Sequence, residues 1–111
     1  MGVQINVAVN YDDIKELIVH FPEFDGYVMD LLSEDIQQGA QRRAPVRTGL
    51  LRDSIYRAVS GGHFWVSSEA PYASFVEFGT TKMAAQPHLI PAVEAADYDG
   101  AIAESLARVG L

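Results

Sequence analysis

The segment between Pro22 and Pro45 constrains the fold of this chain more than any other part of the sequence. Apolar residues recur there at steps of three and four, which places them on one face of a helix. They are Val28, Leu31, Leu32, Ile36 and Ala40. This pattern predicts an amphipathic helix about five turns long over residues 24–43. Pro45 ends it, because proline cannot donate the next helical hydrogen bond.

Three shorter segments have the composition of β-strands. Residues 3–9 alternate β-branched with polar or small side chains, a period of two that places the branched side chains on one face of a strand. Residues 52–60 and 63–68 are rich in branched and aromatic side chains. They flank Gly61-Gly62, a pair that tolerates the positive φ angles of a tight turn. The sequence therefore predicts an N-terminal strand and a central antiparallel hairpin.

Two further helices are predicted on either side of these elements. A short one around residues 14–18 ends before Pro22. A last one begins at Pro91 and carries a weak apolar stripe that Gly100 interrupts. Because no linker or repeat divides the chain, we expect one α+β domain over residues 1–111. Its small antiparallel sheet is packed by one long helix and a C-terminal helix.

A compact apolar and aromatic segment lies between Pro71 and Gly79. Its spacing fits either a helix or a strand, and Pro71 favours one or two helical turns. The segment has more apolar side chains than one core face readily takes, so we expect some to meet a neighbouring subunit. They are Tyr72, Phe75, Val76 and Phe78. Glu77 among them is expected to point to solvent or to pair with an arginine such as Arg47 or Arg52.

Charge is distributed unevenly along the chain. The formal charge of −7 opposes broad attachment to nucleic acid or to an anionic membrane. Residues 36–67 nevertheless carry a net charge of +4, which leaves −11 for the remainder. The basic side chains of this band are Arg42, Arg43, Arg47, Arg52 and Arg57. The band could contact an acidic partner surface, stabilise the end of the long helix, or bind DNA phosphates.

The sequence lacks the motifs that catalysis or ligand binding would need. The absence of cysteine excludes disulfides and thiolate sites, and suits a reducing cytoplasm. No histidine pair has metal-binding spacing, and His63 and His88 are expected to be ordinary surface or packing residues. No phosphate-binding loop or nucleophile elbow is present, and no apolar run approaches the ~20 residues of a membrane span. We expect no catalytic, cofactor-binding or metal site, and a hydrolase is the least favoured alternative.

Three sequence blocks, in order and in register, resemble the small tail-component family of tailed bacteriophages and prophages. The blocks are APVRTGLLRDSI at 44–55, PYASFVEFGT at 71–80 and QPHLIPA at 86–92. His88 stands where members of that family commonly carry a larger aromatic side chain. The resemblance implies a neck or tail-completion protein, or a minor tail or morphogenesis protein, of a long-tailed phage.

The resemblance also implies a location and partners. A structural virion protein of this kind would be made in the bacterial host cytoplasm and would form or join a ring at the head–tail neck or in tail completion. Its implied partners are further copies, the adjacent head connector, and tail-tube or tail-terminator proteins, without tight DNA binding and without a membrane. The alternative is a nucleic-acid-binding or regulatory module of a mobile element that uses the Arg42–Arg57 band.

Two sets of residues are therefore singled out. Residues 80–86 are expected to form an exposed loop that orders on contact with an adjacent ring component. Together with the basic and aromatic residues above, this loop completes the candidate subunit or partner contacts: Arg42, Arg43, Arg47, Arg52, Tyr72, Phe75, Glu77, Phe78, Thr80, Lys82 and Met83. Structural turns, where proline ends an element or glycine permits a bend, are expected at Pro45, Thr48, Gly49, Gly79, Pro87 and Pro91.

Overall fold

The computed structural model describes residues 2–8, 15–45, 49–60 and 63–110 of the chain. The described part contains three strands and six helices in mixed order. They are β1 (Val3–Ala8), α1 (Lys15–His20), α2 (Phe24–Arg43), α3 (Leu50–Asp53), β2 (Ile55–Ser60), β3 (His63–Ser68), α4 (Ala73–Phe78), α5 (Leu89–Ala95) and α6 (Tyr98–Arg108). The predicted α+β class, with a small antiparallel sheet, is confirmed.

The sheet places β3 in the centre, with β1 on one side and β2 on the other, both antiparallel to it. Ser68 of β3 lies opposite Val3 on one side and Ile55 on the other. Because side chains alternate along a strand, the side chains of Val66 and Phe64 lie on the same face of β3 as that of Ser68. Both are fully buried. Gly61-Gly62, the predicted hairpin turn, lies outside the described residues.

The long helix α2 has the predicted bounds and is the central packing element. Its buried face carries Phe24, Val28, Met29, Leu32, Ile36 and Ala40. The helix packs against β2 and β3, and α5 and α6 pack against the helix. The core therefore forms around one helix that meets both the sheet and the C-terminal helices.

The predicted start of the hairpin at residue 52 is wrong, because residues 50–53 form the short helix α3. Gly49 permits this turn with a φ of 80°, in the left-handed region that glycine adopts without strain. The side chain of Ser54 then closes the helix by donating a hydrogen bond to the carbonyl of Leu51, 2.7 Å away. The same hydroxyl accepts from the backbone N–H of Ala70. These bonds delay the strand until Ile55. Thr48 lies outside the described residues.

The single last helix that the sequence predicts is two helices in the structure. The first, α5, begins at Leu89, so Pro91 lies within its first turn, where a missing N–H costs little. The break falls at Ala96 and Asp97 rather than at Gly100. The Asp97 side chain caps α6 by accepting from the backbone N–H of Gly100, 2.9 Å away. Gly100 permits this close approach, because a Cβ there would lie 2.2 Å from a carboxylate oxygen.

The segment after Pro71, which the sequence leaves open between helix and strand, forms the helix α4. Gly79 ends this helix with a φ of 78° and a ψ of 176°, backbone angles that only glycine adopts without strain. A Cβ at this position would lie 2.8 Å from the backbone nitrogen of Ala85. Gly79 therefore fixes the path of the chain from α4 into the following loop.

We predict that Gly79→Ala lowers the free energy of unfolding by about 2–4 kcal/mol, because the added methyl group is both strained and crowded. Urea unfolding followed by circular dichroism measures the change. Gly26→Ala is the matched control, because Gly26 lies in α2 with nothing within 4 Å of a Cβ. This control should gain about 0.5–1 kcal/mol. Equal stability of the two variants would contradict the role given to Gly79.

Candidate functional site

The short helix α4 presents three different faces. Ala73 and Glu77, one turn apart, are buried toward the body of the protein. Tyr72 and Val76 line an open groove. Phe75 and Phe78 lie on the remaining face, where they are 52% and 63% exposed. We call Phe75 and Phe78 the aromatic ridge.

The buried face of α4 is held in place by the carboxylate of Glu77. This side chain is 2% exposed and accepts three hydrogen bonds from backbone N–H groups at the start of α5. Its Oε1 accepts from His88 and Leu89, at 3.0 and 2.9 Å, and its Oε2 accepts from Ile90, at 3.2 Å. The first N–H groups of a helix have no partners within the helix, and the macrodipole favours a negative charge there. Glu77 therefore caps α5 from a distant position in the sequence.

Two of the alternatives predicted for Glu77 are wrong. Its carboxylate neither points to solvent nor contacts Arg52, which pairs with Asp53 at 3.2 Å. Arg47, the other predicted partner, lies outside the described residues. Among the described residues, α5 has no side-chain cap from its own N-terminus. Its first backbone N–H groups therefore bind the Glu77 carboxylate, in place of the arginine that the sequence predicted as its partner.

His88 is part of the same buried cluster. Its ring is fully buried, with Nε2 3.1 Å from the hydroxyl of Ser68 and Nδ1 2.9 Å from Glu77 Oε1. The contact to Glu77 lies outside hydrogen-bond geometry. Burial lowers the pKa of His88 below its usual value, although the nearby Glu77 carboxylate acts in the opposite direction. Of the two roles predicted for His88, packing is the one observed.

Ser68, His88 and Glu77 have the side-chain types of a hydrolytic triad, but their setting does not suit such chemistry. None of the three is more than 2% exposed, so a substrate carbonyl could not reach the hydroxyl of Ser68. The carboxylate of Glu77 is bound to three backbone N–H groups rather than orienting the imidazole. The cluster joins β3, α4 and α5, and its observed role is structural.

An open groove of about 740 Å³ runs between the α3 region and α4. It is lined by Pro45, Gly49, Leu50, Leu51, Tyr72, Val76, Met83 and Gln86. Most of these side chains are apolar. We call this feature the α3–α4 groove. It borders the helix that carries the aromatic ridge, so two different apolar features lie side by side.

The loop after Gly79 forms the far wall of this groove. Thr80 and Met83 are joined by backbone hydrogen bonds in both directions, and the backbone N–H of Gln86 donates to the carbonyl of Val76 at 2.7 Å. The predicted contact residues Thr80, Lys82 and Met83 are all exposed, as is Pro87. Ordering of this loop on contact with a partner stays a prediction.

The basic band is not one continuous surface in the described part of the chain. Arg57 faces the body of the protein and donates to the carboxylate of Asp30 at 2.8 Å and to the hydroxyl of Ser33 at 2.9 Å. Arg43 donates to the carbonyl of Gly39. Arg42 and Arg52 line a common shallow depression beside the end of α2. Of these two arginines, Arg52 also lies against Gly49, which lines the α3–α4 groove.

Small size, a core organised around one helix, and exposed apolar features beside a groove define the chain as an α+β domain with surfaces suited to protein contacts. A comparison with protein-family models identifies the family. The model described as "Bacteriophage HK97-gp10, putative tail-component" matches residues 11–79, more than half of the chain. The chain belongs to this HK97-gp10-like family of phage tail components, which confirms the resemblance seen in the sequence blocks.

Membership of this family assigns the chain a structural role in a tailed phage, a location in the virion and an association with other virion proteins. No curated protein and no solved structure matches the chain. Within the described ranges, none of the helices has both the length and the apolar character needed to cross a membrane.

We predict that Glu77→Gln lowers the free energy of unfolding by about 2–4 kcal/mol, because an amide NH₂ group would face backbone N–H groups and leave buried donors without an acceptor. Denaturant unfolding gives the stability, and NMR hydrogen exchange should show faster exchange at the amides of Leu89 and Ile90. Glu104→Gln is the control, because Glu104 is an exposed residue of α6 with one ion pair to Arg108. Its effect should stay below about 0.5 kcal/mol. Equal effects of the two substitutions would contradict the capping role.

The buried imidazole predicts a dependence of stability on pH. Because the pKa of His88 is lowered in the folded chain, the unfolded chain binds a proton first as the pH falls through the usual histidine pKa of 6.5. The folded state should therefore lose up to about 1.4 kcal/mol per pH unit below that value from this residue. Unfolding free energies of the wild-type chain measured between pH 7 and 5.5 should show this slope, and His88→Gln should reduce it. A slope that survives His88→Gln would refute the assignment.

Proposed function

We propose that this chain is a non-enzymatic virion protein that acts at the head–tail neck or in tail completion by forming or joining a ring. The observation that carries the proposal is the exposure of Phe75 and Phe78 on a helix whose opposite side is fixed by Glu77. A contiguous apolar feature of this kind on a small protein marks an interaction site. Membership of the tail-component family indicates that the interaction takes place in a tailed phage.

The arrangement of α4 argues for rigid presentation rather than for a loosely attached helix. A six-residue helix is too short to be stable alone, yet three hydrogen bonds to one buried carboxylate hold α4 against α5. The aromatic ridge is therefore already in position before a partner arrives. Preformed contact residues lose less conformational entropy on association, which favours binding.

The shape of the chain supports the same proposal. Its extents are 53 × 20 × 19 Å and its radius of gyration is 15.7 Å, compared with about 13 Å for a compact domain of this length. An elongated protein has more surface for its volume, and therefore more area with which to contact neighbours on several sides. Copies arranged head to tail close into a ring when the rotation between them returns to its start.

The charge distribution bears on the alternative of a nucleic-acid-binding module. Arg57 and Arg52 are paired with Asp30 and Asp53 respectively, so fewer guanidinium groups of the band can contact phosphates. The net charge of −7 repels DNA at long range. Both features support a protein that lets DNA pass without retaining it, and the described residues provide no specific observation in favour of the alternative.

The proposed function is tested directly by substituting both side chains of the aromatic ridge. We predict that the double variant Phe75→Ser/Phe78→Ser folds normally, because both side chains are largely exposed, but does not support tail joining. Truncating two central aromatic anchors should weaken association on the order of a thousandfold. The measurement is the titre of infectious particles when the variant complements a phage that lacks this chain, together with electron microscopy of heads and tails.

Val19→Ser is the matched control for this test. Val19 lies on α1 and is 75% exposed, so its substitution removes apolar surface at another place. The control should complement fully. Joined particles at normal titre from a folded Phe75→Ser/Phe78→Ser variant would show that the ridge makes no essential contact.

A further inference from the structure

The two apolar features of α4 point in different directions from one helix. Successive residues turn by about 100° around a helix axis, so the Phe75–Phe78 face lies about 110° from the Tyr72–Val76 face. The second of these faces borders the α3–α4 groove. A chain therefore cannot place its own aromatic ridge in its own groove, and each feature needs a partner from outside.

The groove has a basic margin. The guanidinium of Arg52 lies against Gly49, which lines the groove, and Arg42 shares a shallow depression with Arg52. Lys82 is exposed and precedes Met83, which lines the opposite wall. The carboxylate of Asp53 pairs with Arg52 and also lies beside Gly49, so it offsets one of these three positive charges. The occupant that fits this groove best is an apolar projection from an acidic protein.

The chain itself meets that description. Its residues outside 36–67 carry a net charge of −11, and the aromatic ridge belongs to that acidic part of the sequence. Glu69 precedes α4 and is exposed, and Glu94 is exposed one turn after Ile90 on the helix that Glu77 joins to α4. The part of the sequence that carries the ridge is therefore opposite in net charge to the part that carries the α3 side of the groove.

We propose that the α3–α4 groove of one copy receives the aromatic ridge of a second copy. This inference rests on the proposed ring function and names the surfaces that join its subunits. The ridge and the groove are different surfaces, so the contact is heterologous and each copy gives its ridge to one neighbour while receiving the ridge of another. The basic residues beside the groove then face a second copy whose residues outside 36–67 are acidic overall.

The natural absence of cysteine makes a cross-linking test unambiguous. Phe78→Cys labels the ridge and leaves Phe75 in place, and Leu50→Cys labels the groove, where this side chain is largely exposed. Particles are assembled from an equal mixture of the two single variants, oxidised, and analysed on denaturing gels without reductant. We expect disulfide-linked dimers from the mixture and none from either single variant alone. The pair Phe75→Cys and Leu50→Cys repeats the test with Phe78 retained.

The double variant Phe78→Cys/Leu50→Cys then reports the polarity of the contact. A heterologous contact should give a ladder of species larger than dimers, whereas a two-fold contact stops at dimers and overturns the proposed polarity. Phe78→Cys combined with Val19→Cys is the control and should give no ladder, because Val19 lies on α1, outside the groove. Dimers from Phe78→Cys alone would show a ridge-to-ridge contact and overturn the proposal.

The outcome also separates this inference from the proposed function. If no cross-link joins copies from either pair, but Phe75→Ser/Phe78→Ser still abolishes tail joining, then the ridge contacts a different virion protein and only the present inference fails. If the serine variant assembles normally and no cross-link forms, both fail. Thermal unfolding of each reduced cysteine variant verifies that the chain is folded.

Discussion

The buried carboxylate of Glu77 is the interaction on which the rest of this surface depends. It supplies acceptors for three backbone N–H groups at the start of α5 and so joins two short helices that are distant in sequence. A polar group buried at this depth is stable only when its hydrogen bonds are made. The same bonds fix the rotation of α4 about its axis, and that rotation turns the aromatic ridge outward.

The parts of the fold that follow from local pattern could be predicted from the sequence. Apolar residues at steps of three and four between Pro22 and Pro45 predicted α2 with its observed bounds. The alternation of β-branched with polar or small side chains in residues 3–9 predicted β1. The excess of apolar side chains around Phe75 and Phe78 predicted that some of them would be exposed, and they are. Each of these patterns depends on residues close together in the chain.

The parts that the sequence did not predict depend on contacts between distant residues. Ser54 accepts from the N–H of Ala70, which turns the expected start of β2 into α3. The capping role of Glu77 could not be predicted without knowing where α5 begins. One signal was present: residues 82–88, directly before Leu89, include no serine, threonine, aspartate or asparagine to cap that helix, so an acceptor from elsewhere was needed. The one carboxylate in the neighbouring apolar segment was the candidate.

Glu77 holds α4 so that Phe75 and Phe78 face outward, and we propose that only assembly covers them. The sharpest test is hydroxyl-radical footprinting of the isolated chain and of assembled particles, with the exposed Tyr56 on β2 as the internal reference. Both phenylalanines should be labelled strongly in the isolated chain and protected in the particle, relative to Tyr56. Equal labelling of Phe75 and Phe78 in the two states would contradict it.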